Sequence, residues 1–70
     1  ADPGRTAVRR DALVACLKLN RFTDAEAHAQ TLLRDEPANA ELYQQLAAAQ
    51  AGLQKSAETR ASYEQAIKHA

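Results

Sequence analysis

Cys16, His28 and His69 carry the readiest chemistry in this chain, alongside nine acidic and nine basic side chains. A thiol acts as a nucleophile only when a base stands beside it. No candidate base is evident for Cys16, which falls among apolar residues at helical spacing and is expected to pack as a small hydrophobe. A single cysteine cannot close an internal disulfide, and no Cys/His pair has zinc-ligand spacing. His28 follows Asp24 by one helical turn, the spacing of an i, i+4 ion pair. Arg5, Arg9 and Arg10 form a basic cluster without interleaved aromatics, so they read as a solvated helix face rather than a nucleic-acid site. The expectation is therefore a non-enzyme without cofactor or metal.

Composition agrees. The formal net charge is zero, which gives no bulk attraction for a phosphate backbone or an anionic membrane. Ala supplies 17 of 70 residues, so a packed interior must be built largely from small side chains. Two Gly and two Pro argue against disorder and against an all-β fold. No uninterrupted apolar stretch is long enough to cross a bilayer, and the amino terminus lacks a charged-then-apolar signal pattern. The chain opens at Ala1 without Met and reads as an excised or processed fragment, compatible with either a cytoplasmic or a periplasmic setting.

Positioning any site falls to four amphipathic segments. The first is predicted from about Thr6 to Leu19, broken by Asn20-Arg21-Phe22. Thr23 and Glu26 have the spacing of a capping box, with Phe22 placed to staple against Ala27, so the second helix is predicted over Asp24 to Arg34. Pro37 disfavours helix at Glu36. Asn39 is a good cap for a third helix, Ala40 to Leu53, which Gly52 helps to end. Ser56 is placed to cap a fourth, Ala57 to His69. Short connections make neighbouring helices antiparallel.

Pro3 and Pro37 stand 34 residues apart, each after an acidic residue. Shifting the chain by that period overlays Ala15 on Ala49, Leu19 on Leu53 and Ala27 on Ala61, with Val8/Leu42, Arg21/Lys55 and Leu33/Ile67 as conservative matches. A period of this length marks helical repeats. The chain is thus read as one all-α domain, 1–70, of two tandem antiparallel helix-turn-helix units, 5–38 and 39–70. Residues 1–4 are expected to be the tail of a preceding unit, and the whole an excerpt of a longer array.

The second unit's Tyr43-x-x-Leu46-Ala47 and Tyr63-x-x-Ala66-Ile67 resemble the tetratricopeptide repeat (TPR) family, as do Ala25, the turn Asn20-Arg21-Phe22 and the closing Asp35-Glu36-Pro37 of the first. Arg9, Leu13 and Thr59 depart from that pattern. At Ala12-Leu13 against Leu46-Ala47, and Ala29/Leu32 against Tyr63/Ala66, large and small residues exchange places, so these positions are read as core with volume kept. The resemblance implies a right-handed α-solenoid fragment whose first helices line a concave face: Ala7, Arg10, Asp11, Val14, Leu17 and Lys18, then Glu41, Gln44, Gln45, Ala48, Ala51 and Gly52.

Such a face, with a Gln pair over small apolar residues, suits a peptide or helix. The clamp by which some TPR proteins hold acidic chaperone tails is absent, because Val14 and Ala48 occupy its asparagine positions. The expected function is protein–protein interaction. Alternatives are a self-assembly or spacer segment, with the exposed repeat ends joining copies into a homo-oligomer, and an accessory part of an enzyme whose chemistry lies elsewhere.

Overall fold

The computed structural model describes residues 3–69, with side chains from Thr6 onward. Ala1, Asp2 and Ala70, and the side chain of Arg5 in the basic cluster, lie outside the described residues. Those described form four helices and no strand: α1 Pro3–Lys18, α2 Phe22–Asp35, α3 Ala40–Gly52 and α4 Ser56–His69. Linkers of three, four and three residues fold each helix back on its predecessor. The all-α, helix-turn-helix expectation holds.

The helix starts differ from expectation in instructive ways. Proline lacks the N–H that the first turn would leave unpaired, so α1 opens at Pro3, three residues before Thr6. Pro37 instead lies in the turn before α3, so the two prolines that suggested the period occupy different local structure. The capping box at Thr23 does not form. The helix begins at Phe22, its cap position is Arg21 without a side-chain cap bond, and Thr23 is an exposed residue inside the first turn. Glu26 turns to another partner, Lys55. Ser56 is likewise the first helical residue of α4 rather than its cap. Asn39 does cap α3, its side chain accepting from the Leu42 N–H at 3.3 Å.

The 34-residue period is written most plainly in two turns. After α1, Leu19 N–H donates to Ala15 at 2.9 Å, Asn20 to Leu17 at 3.2 Å and Arg21 to Cys16 at 2.7 Å. After α3, Leu53 donates to Ala49 at 3.1 Å, Gln54 to Ala51 at 3.0 Å and Lys55 to Gln50 at 2.9 Å. Every donor and acceptor is displaced by the same 34 positions. Both turns are Schellman-type closures, and each puts a left-handed residue beyond the helix: Asn20 at φ 60° and Gln54 at φ 61°.

The main core joins Leu13 of α1, Ala25, Ala29 and Leu32 of α2, and Leu42, Leu46 and Ala49 of α3, with Cys16, Leu17 and Leu33 packed against it. Leu13 and Leu46 are buried, as their exchange with Ala12 and Ala47 required. Tyr63 is not core: it is 46% exposed, whereas Ala29 at the matching place is fully covered. The reason is positional. α3 packs across α2, and no described helix packs across the corresponding face of α4.

Phe22 does not staple to Ala27, which is exposed. Its ring lies over Gly52, so closely that a Cβ at that residue would enter the ring's van der Waals envelope. Gly52 is required there by close approach, and its φ is not positive.

Candidate functional site

The expected site residues divide into two groups. Leu17 from α1 and Gln44, Gln45 and Ala48 from α3 line one open groove, together with Tyr63, Ala66 and Ile67 of α4. The groove holds about 410 Å³ and its walls are mainly apolar. Arg10, Asp11, Val14, Lys18 and Glu41 are not among its lining. Asp11, Val14, Lys18 and Glu41 are exposed on α1 and α3.

Arg10 is engaged rather than waiting for a ligand. Its guanidinium pairs with Glu36 in the α2–α3 linker, tying α1 to the far end of the first helix pair. Both side chains stay about a third exposed, so the pair orients the linker more than it stabilises the fold.

The other reactive side chains have structural partners as well. His28 pairs across helices with Arg9, whose Nη1 lies 3.2 Å from His28 Nδ1, and not with Asp24 as the i, i+4 spacing suggested. Arg9 and His28 are both half-buried, whereas Asp24 is exposed. Cys16 is half-buried against the core, as expected of a small hydrophobe. His69 stacks on Tyr43 with ring centroids 5.5 Å apart, and the Tyr43 hydroxyl donates to the Pro37 carbonyl at 2.9 Å. Tyr43 thereby connects the linker, α3 and the end of α4. Among the described residues no cluster of three His, Cys, Asp or Glu could hold a metal, and no helix is long and apolar enough to cross a membrane.

One polar contact escaped the sequence reading. Ser62 Oγ donates to Gln50 Oε1 at 2.6 Å, and both residues are buried between α3 and α4. A signal existed: Gln50 lies four residues after Leu46 and Ser62 four before Ala66, so each is on its helix's buried face. Buried amides and hydroxyls need partners, and these two fit each other.

A second groove, of about 280 Å³, lies at the α3–α4 turn between Ala51, Gln54, Lys55, Ser56, Thr59 and Arg60. Its cationic rim is half used. Lys55 Nζ reaches back to Glu26 at 3.0 and 3.2 Å, joining the second turn to the first pair.

Comparison with family models, with curated proteins and with solved structures finds no match for this chain.

Proposed function

We propose that the chain is a non-catalytic, TPR-type module that binds a peptide or helix of another protein. The observation that carries this reading is the groove that gathers Leu17, Gln44, Gln45 and Ala48, four residues that the family resemblance assigns to a partner-binding face. The 34-residue register of the two turns supports a tandem-repeat origin for the helix pairs. The groove's chemistry fits the role. Apolar walls give affinity through area removed from water, and the two glutamine amides can donate and accept along a backbone.

The test is a titration of the isotopically labelled chain with extended and helical peptides, followed residue by residue in NMR spectra. Shifts concentrated at Leu17, Gln44, Gln45 and Ala48, and weakened by Gln44→Ala and Gln45→Ala, are expected. Shifts confined to α2 and the linkers would move the site off this groove.

A further inference from the structure

We propose that the outer face of α4 seats one amphipathic helix of a partner protein, a helix followed by an acidic residue just beyond its carboxyl end. This rests on the interaction-module reading above and specifies its partner. The seat is defined by internal symmetry. In the first pair α3 lies across α2, covering Ala29 and Leu32 and shielding Leu33. Thirty-four residues on, these positions are Tyr63, Ala66 and Ile67, which line the larger groove, with Ile67 77% exposed.

The smaller groove completes the match. In the first pair Phe22 receives Gly52 and Glu26 receives Lys55, so the turn after α3 docks on the start of α2. Their counterparts are Ser56 and Arg60, and both line the 280 Å³ groove at the start of α4. Two separate grooves thus stand where the body and the closing turn of α3 sit in the first pair.

Charge decides which helix fits. Arg60 replaces Glu26, so the group that takes the place of Lys55 must be acidic. A second copy of this chain, docked by α1 in the same register, would bring Arg21 to Arg60 and would offer Val8 and Ala12 in place of Leu42 and Leu46. Like charges and a smaller apolar stripe disfavour it. The seat calls for a helix with apolar residues at the spacing of Leu42, Leu46 and Ala49 and an acidic residue in the place of Lys55.

The probe is a synthetic peptide with the sequence of residues 39–55, made unchanged and with Lys55→Glu. Against the full chain, the Lys55→Glu peptide is expected to bind about three- to fivefold tighter at low salt. Arg60→Glu in the chain should reverse that order, and Ile67→Asp should weaken both peptides at least tenfold. Both positions are exposed, and circular dichroism checks that the variants keep their helices. If binding ignores Arg60 and Ile67 but is lost with Gln44→Ala or Gln45→Ala, the interaction module stands and the α4 seat is wrong. If neither 39–55 peptide binds at millimolar concentration, the α4 seat falls, and the interaction-module reading is decided by the titration of the labelled chain. A dimer in sedimentation that Ile67→Asp dissolves would give the seat to a second copy and overturn the foreign partner.

Discussion

Gly52→Ala offers the sharpest check on the packing between the two helix pairs. Taken alone, the change should help: Gly52 ends α3 with an ordinary φ, and alanine exceeds glycine in helix propensity by up to about 1 kcal/mol. The structure puts the Phe22 ring in the way. The ring atoms nearest the added methyl are Cγ and the two Cδ atoms, close to the ring's attachment, so no small rotation clears them. Overpacking of this kind costs about 1–3 kcal/mol, which leaves a net loss of up to about 2 kcal/mol. For a chain of this size that is a fall of roughly 4–8 °C in melting temperature per kcal/mol.

In a Phe22→Ala background the clash is gone, and Gly52→Ala should stabilise by about 0.5–1 kcal/mol. The four proteins of the double-mutant cycle, melted in parallel by circular dichroism with urea titrations alongside, should show a coupling of about 1–3 kcal/mol, the overpacking cost itself. A Gly52→Ala protein that melts higher than the parent, or a coupling near zero, would mean that Phe22 does not pack over Gly52.

Gln54 holds a left-handed φ of 61° without the freedom of glycine, so Gln54→Gly should raise stability by about 1 kcal/mol in urea unfolding. Asn20→Gly should gain less, because asparagine tolerates that region better. Ser62→Ala leaves the Gln50 amide buried without a partner and should cost about 1–3 kcal/mol, most of it recovered by adding Gln50→Leu; equal stability of the two variants would show water reaching Gln50. Leu46→Ala opens a cavity in the main core at a residue only 7% exposed, and a loss of about 2–5 kcal/mol is expected in thermal melts. Asn39→Ala removes the α3 cap and should lower helicity and stability by about 1 kcal/mol.

Helix number and type were legible because apolar spacing and the Asn20 and Gly52 breaks are local signals, read within one turn of chain. Helix starts were less so. Thr23 and Glu26 have capping-box spacing, yet Glu26 pairs with Lys55 from 29 residues away, and a distant cation competes successfully with a local backbone donor. His28 shows the same thing: Asp24 is near in sequence, but Arg9 is near in space. Leu17, Gln44, Gln45 and Ala48 were named through the family resemblance, which also named Arg10, Asp11, Val14, Lys18 and Glu41, five residues that do not line the groove. Tyr63, Ala66 and Ile67 were not legible as groove residues, since their matches Ala29, Leu32 and Leu33 belong to or pack against the core and a sequence shift assigns both sets the same environment.

That last failure separates two kinds of equivalence. The turns after α1 and α3 share three backbone bonds at the same spacing, because a Schellman closure depends only on the residues that form it. Burial does not repeat, because it depends on what lies outside the unit: Leu42 is covered and Val8 is 69% exposed, Ala29 is covered and Tyr63 is not. Backbone symmetry with broken burial symmetry therefore marks the faces of α1 and α4 that no described helix covers. The two open sides are not alike. Val8 is exposed on α1, while Tyr63 and Ile67 border a groove that also takes in Leu17 and the Gln44–Gln45 pair. The groove beside Tyr63 and Ile67 makes α4 the place where the proposed binding should register, as NMR shifts at Tyr63, Ala66 and Ile67 that leave Val8 unmoved.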